Sequence, residues 1–190
     1  MSSSQILPSS FLERLHAAKV TTSFVVDSKG SITSAQGNSK GLGNASDMQL
    51  LLALRRQSEV VLTSGLTARV EQYKMPSSAD LAIFTVQGVD ALELSPKPGQ
   101  RLLILSPPET ISYGGALAQL LDQYSRVHIE FGPRGFTDVL ERIDLVVVSS
   151  RSELGATQFT ESFNLFILDE IRLPDLFVTL AVGRGKAPNF

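Results

Sequence analysis

The sequence predicts an α/β fold: a mostly parallel central sheet flanked by helices, with a C-terminal antiparallel β-hairpin. Three observations carry this expectation. Short β-branched runs alternate with segments of helical spacing along most of the chain, the order that builds parallel sheets. The run Val60-Val61-Leu62-Thr63 is too apolar for an edge strand in water and reads as central and parallel. Residues 163–173 and 176–182 are strand-like on either side of Pro174-Asp175, the pattern of a hairpin.

Taken in order, residues 1–9 read as a flexible tail and residues 10–190 as a single domain. Ser10 with Glu13 three positions on has the form of a capping box for a short helix carrying Phe11, Leu12 and Leu15. His16 near its end favours the helix dipole when charged. Val20–Val26 mixes valine and phenylalanine with threonine, as strands do. Asp27-Ser28-Lys29-Gly30 is a turn by composition. A polar, glycine-rich loop over 37–46 leads into a helix over 47–57, with Met48, Leu51, Leu52 and Arg55 at i, i+3, i+4 and i+7. Ser46 is its expected N-cap, and Asp47 suits the positive end. After the central strand come Gly65 and a short helix. Further strands are expected over 81–86 and 101–105, the latter stopped by Ser106-Pro107-Pro108, since proline cannot donate to a ladder. Helical spacing over 115–124 groups Leu117, Leu120 and Leu121. A strand over 127–131, the turn Gly132-Pro133-Arg134-Gly135, a helix through Val139 and Leu140, and an apolar run over 143–148 precede the hairpin.

Composition removes several function classes. With 190 residues, 43% apolar and 19% charged, the chain is expected to be globular with a sizeable core. No run approaches the ~18 apolar residues of a membrane helix. The first residues show no secretion signal. The absence of cysteine rules out disulfides and thiolate metal sites and fits a cytoplasmic location. A net charge of −2 with interspersed signs offers no basic patch for nucleic acid. With only two histidines, no hydrolytic or metal-ligating motif is visible.

The most informative stretch runs over 37–73: polar glycine loop, cap-started helix, apolar strand, glycine turn. This order places polar groups at the carboxyl end of a strand, where open α/β sheets bind ligands. The segment Arg55-Arg56-Gln57-Ser58-Glu59-Val60-Val61-Leu62-Thr63-Ser64-Gly65-Leu66-Thr67 resembles the reductase domain of bacterial riboflavin biosynthesis, the C-terminal half of the bifunctional deaminase–reductase. It is also similar to the stand-alone pyrimidine reductases. The shared pattern falls on Ser39, Asp47, Leu54-Arg55, Glu59 and Thr67. The resemblance implies a dihydrofolate-reductase-like fold, NADPH as cofactor, a homodimer, and hydride transfer to a phosphorylated ribosylamino-pyrimidine or related pteridine.

Carried over position by position, the resemblance sets Gly41, Thr67 and Glu71 against the cofactor. It sets Gly132, Pro133, Arg134, Gly135, Phe136 and Thr137 on the cofactor phosphates. Ser39, Arg55 and Glu130 face the substrate, with Arg55 matched to its ribityl phosphate. Arg69 and Arg134 are the candidates for the 2′-phosphate. No single residue is assigned as the catalytic one, because hydride chemistry belongs to the cofactor. Ordinary readings stand beside these: Ser39 shaping a turn, Arg55 favouring a helix dipole, Thr67 capping the helix after Gly65. Glu130 ends an apolar strand and needs a partner in either case. His128 shares a strand face with Glu130 and is either an acid–base partner or a hydrogen-bonded core histidine. The chain departs from the family at Lys29, where an acid is usual, at Gly41, where an aromatic is common, and at Phe131, in the glycine turn. These departures keep two alternatives open: dihydrofolate reduction on the same fold, and a non-enzymatic binding or scaffold subunit.

Overall fold

A computed structural model describes residues 8–34, 37–89, 92–109 and 112–186. Its elements are α1 (Ser9–Ala17), β1 (Val20–Val26), α2 (Ala45–Gln57), β2 (Val60–Ser64), α3 (Gly65–Val70), β3 (Asp80–Phe84) and β4 (Leu102–Leu105). They continue with α4 (Tyr113–Leu121), β5 (Val127–Glu130), α5 (Pro133–Val139), β6 (Leu145–Ser150), α6 (Glu153–Ser162), β7 (Leu165–Leu173) and β8 (Leu176–Gly183). The strands form one eight-stranded sheet in the order β4-β3-β2-β5-β1-β6-β8-β7. All pairings from β4 to β6 are parallel, and β8 joins β6 antiparallel with β7 outside it. The expected fold class is what the chain adopts.

Strand alternation divides the sheet into two unlike faces. One buries Val20, Phe24, Val60, Leu62, Val127, Ile129, Val146 and Val148 under α4, α5 and α6. Phe24, Phe136, Phe159 and Phe163 interlock there, with ring centroids 4.8–6.1 Å apart. The other face carries two separate apolar clusters. Phe11, Leu15, Leu50 and Leu54 cover Leu145, Val147, Val178 and Leu180, whereas Ala68 of α3 packs on Val61, Leu81 and Ile83. The strip between these clusters holds the polar residues described below.

Several local expectations shift. Helix α1 begins at Ser9 with Pro8 as N-cap and no side-chain cap bond, so the Ser10–Glu13 capping box does not form. Asn44, not Ser46, caps α2, its side-chain oxygen accepting from Asp47 N. Ser46 is drawn away to Asp175, at 2.7 Å. Strand β5 stops at Glu130, one residue short of the expected end. Helix α6 has no counterpart in the sequence reading, and Phe163, expected in a strand, is its C-cap. Threonines and a glycine hide the helical pattern of α6. Yet Gly155, Ala156, Phe159 and Thr160 form its buried stripe. Gly155 is needed there because a Cβ would run into the Asp27 carbonyl and lie 2.7 Å from Ser150 Oγ. Among the described residues no helix is long and apolar enough to cross a membrane.

Gly155→Ala is therefore expected to destabilise by about 1–3 kcal/mol. Gly114→Ala, in the first turn of α4, where the nearest atom to an added Cβ is 3.9 Å away, is expected to stabilise by about 0.5 kcal/mol. Urea unfolding of both variants checks the pair.

Candidate functional site

The strip between the two clusters is built by β1 and β5, which lie side by side at the middle of the sheet. Period two puts Thr21 and Ser23 on the same face as His128 and Glu130. His128 is fully buried, with Nδ1 2.8 Å from Thr21 Oγ1 and Nε2 3.2 Å from Ser23 Oγ. Burial, then the nearby Arg55 charge, lowers its pKa to about 3, so the ring is neutral at pH 7. It is a hydrogen-bonded core histidine, although its Nε2 stands 3.7 Å from Glu130 Oε1.

Glu130 meets its need for a partner through Arg55. The guanidinium binds side-on, Nε donating to Oε1 and Nη2 to Oε2, each at 2.7 Å. Both side chains are mostly shielded, at 17% and 11% exposure. Burial opposes the Arg55 charge, but the Glu130 bonds outweigh it and keep the guanidinium charged. Arg55 arrives from the last turn of α2, whose end is closed by Ser58 Oγ donating to the Arg55 carbonyl. The Tyr73 hydroxyl also donates to Glu130 Oε2, and its ring lies 5.2 Å from Arg55 Cζ. Tyr73 reaches this place because Gln72 takes a left-handed φ of 52° and Tyr73 N returns to the Ala68 carbonyl.

The loop before α2 is tied to the residues that follow α3. Ser39 N donates to Glu71 Oε1 at 2.8 Å, and Lys40 Nζ reaches Gln72 at 3.3 Å. Gly41, at φ +84°, has nothing within 4 Å of an added Cβ. At the other end of α2, Asp47 accepts from Ser149 Oγ, and burial raises its carboxyl pKa. Asp27 spends its carboxylate on its own turn, accepting from Lys29 N and Ser31 N at 2.8 Å each. That carboxylate closes the corner where the family's acid is expected.

The two glycine corners are neighbours, since Thr63 pairs with Glu130 in the ladder. A Cβ on Gly132 would lie 3.9 Å from Thr67 Oγ1. Ser64, not Thr67, caps α3, accepting from Thr67 N at 3.1 Å. Phe131 leaves the gap between the corners free. Its ring is 3% exposed and packs edge-on against Tyr113 at 4.7 Å, beneath Gly135. Gly135 and Phe136 are buried, so only their main chain is available at the turn, and Thr137 Oγ1 is bonded to the Pro133 carbonyl. Arg134 is exposed; Arg69 is held by Gln87 and the Gly88 carbonyl.

The structure thus joins Arg55 with Glu130, Ser39 with Glu71, and Thr67 with Gly132. Tyr73 is the seam residue that sequence reasoning passed over. Its position two residues beyond Glu71 gave no hint of the left-handed return that delivers it. A groove of about 180 Å³ lies elsewhere, against the hairpin beside Glu153, Glu170 and Phe177, and contains none of these residues.

No protein-family model and no curated protein matches this chain. Solved structures do match its fold. A deaminase/5-amino-6-(5-phosphoribosylamino)uracil reductase from Thermotoga maritima is similar at 13% identity and a TM-score of 0.63, over 86% of this chain. The match covers 56% of that longer protein. A pyrimidine reductase-like protein from Corynebacterium diphtheriae is 14% identical with a TM-score of 0.65, over 93% of this chain and 95% of the other. Dihydrofolate reductase from Enterococcus faecalis, in complex with NADP(H), is 9% identical with a TM-score of 0.56, over 86% and 95%. These likenesses show that the chain has a dihydrofolate-reductase-like fold.

Because the Arg55–Glu130 pair is mostly buried, Glu130→Gln or Arg55→Met alone is expected to cost about 3–5 kcal/mol. The double variant should cost less than the sum, which a double-mutant cycle in urea measures. His128 binds its proton in the unfolded chain near pH 6.5 but in the folded one only near pH 3. Its contribution is present above about pH 6.5 and is lost as pH falls toward 3, by about 1.4 kcal/mol per unit. Asp47 has the opposite sign, so the comparison of wild type with His128→Gln over pH 4.5–6.5 isolates the histidine, about the only difference between the two proteins.

Proposed function

We propose that this protein is an NADPH-dependent reductase of the riboflavin or pyrimidine reductase type, acting on a phosphorylated ribosylamino-pyrimidine or related pteridine. The observation that carries the reading is the adjacency of the corners after β2 and β5, beside the Arg55–Glu130 seam. Elements that are distant in sequence meet there in the order the family resemblance requires.

The residues present fit a nicotinamide dinucleotide. Open space lies beside Gly41, and Gly132 is no closer than 3.9 Å to Thr67 Oγ1 for an added Cβ, so neither position is obstructed. Leu66 and Val86, 68% and 74% exposed at the ends of neighbouring strands, offer apolar faces to a base. Arg69 lies over Gly65 beside them and is a cation for the 2′-phosphate. When bound, NADPH supplies the hydride, and this chain's residues supply orientation and a dry floor. Arg55 and Glu130 hold the substrate, Ser39 and Glu71 close the loop over the seam, and the neutral His128 beneath adds no charge to it. A homodimer is part of this proposal, by family likeness.

A second reading has one observation in its favour. Arg55 and Glu130 satisfy each other, as they would in a subunit that kept the fold and lost the reaction. Cofactor binding separates the two. NADPH is expected to raise the melting temperature, with stabilisation of about 2.7 kcal/mol at a hundredfold excess over Kd. Thr67→Arg should remove that shift while leaving the protein folded, because the Ser64 cap is made to the main chain. No shift at millimolar NADPH supports the non-enzymatic reading, and an unchanged shift in Thr67→Arg removes Thr67 from the site.

A further inference from the structure

We propose that Tyr73 is a positioning residue of the seam. It holds the Arg55 guanidinium so that its Nη1 edge stays presented to an anionic, phosphate-bearing part of the ligand. This rests on the reading of the seam as a substrate site.

A guanidinium carries five N–H donors. Glu130 engages Arg55 side-on through Nε and Nη2, which leaves the Nη1 edge unspent. Among the described residues Nη1 makes no hydrogen bond and no fully buried side-chain nitrogen lacks a partner, so Nη1 keeps part of the 17% exposure of the Arg55 side chain. The ion pair therefore orients Arg55 without consuming it. That is the arrangement a second anion needs, since a planar fork can take carboxylate on one edge and phosphate on the next.

The bidentate pair sets the plane of the fork only while the carboxylate itself is held. Tyr73 completes the constraint with its hydroxyl on Glu130 Oε2 and its ring alongside the guanidinium, 5.2 Å from Cζ. The tyrosine is itself anchored: its N–H is returned to Ala68 and it packs against the α3 cluster with Val61, Leu81 and Ile83. Arginine in solution samples many rotamers, and ordering it before the ligand arrives saves that loss at binding. When the ligand anion draws on Arg55, the Tyr73 hydroxyl keeps Glu130 in place, so the floor does not collapse toward the ligand.

The test uses the full chain and ribose 5-phosphate as probe, with ribose as the uncharged control, in calorimetric titrations. Wild type is expected to bind ribose 5-phosphate and not ribose. Tyr73→Phe, which keeps the ring, should weaken binding about threefold, and Tyr73→Leu about tenfold. The Arg55 Nε–H resonance should be sharp and slowly exchanging in wild type and broaden in both variants, a change that packing alone does not produce. Equal affinities in wild type and both variants overturn the proposal. So does a wild type that shows the NADPH melting shift but no ribose 5-phosphate binding, which leaves the reductase reading intact. Loss of both signals in wild type removes that reading and the proposal together. Should Tyr73→Leu fail to fold, Tyr73→Phe decides.

Discussion

A carboxylate at the end of a buried central strand is the constraint around which the rest of this protein is arranged. Glu130 cannot sit beside a neutral His128 at 11% exposure without a cation and further donors. Arg55 and Tyr73 meet that demand together, both donating to Oε2. To bring Arg55 there, α2 must begin at its Asn44 cap and run to the Ser58 closure before the chain enters β2. To bring Tyr73 there, the chain must turn back immediately after the short α3. One buried charge thus sets the length of one helix and the exit of another.

The two faces of the sheet divide the work. Interlocked phenylalanines and close glycine contacts under α4, α5 and α6 make the first face a dry and rigid support. On the second face, the same strands carry threonine, serine, histidine and glutamate in the middle, and the apolar packing splits around them. A polar strip over a rigid sheet is a place where a ligand can be oriented by fixed groups rather than by ordering them on arrival. The neutral state of His128 belongs to the same design, since a second buried cation beside Arg55 would compete for Glu130.

The departures from the family pattern acquire distinct meanings once the side chains are placed. Phe131 sends its ring to the aromatic face, so the gap between the corners stays clear. Gly41 leaves open space in a loop that is tied down on either side, by Ser39 to Glu71 and by Asn44 to Asp175. Lys29 stands in a turn whose carboxylate, Asp27, is spent on backbone N–H groups. Two of these changes leave open space, and the third sets a cation where the family pattern has an acid.

Much of the architecture was legible in the linear sequence. Val60-Val61-Leu62-Thr63 announced a central strand, 47–57 its helix, and Pro174-Asp175 the hairpin turn, because burial periodicity and backbone preference are local properties that each segment carries with it. Helix α6 escaped for the same reason: its glycine and threonines are poor local signals, and Gly155 is explained only by the Asp27 carbonyl across from it. The partners of Glu130 escaped differently. Residues 55, 73 and 130 meet because β5 inserts between β2 and β1, a strand order that no stretch of the chain encodes by itself. Sequence determined what each element is and which face it buries. Tertiary structure decided which long side chains share a carboxylate, because that depends on the simultaneous packing of elements far apart along the chain.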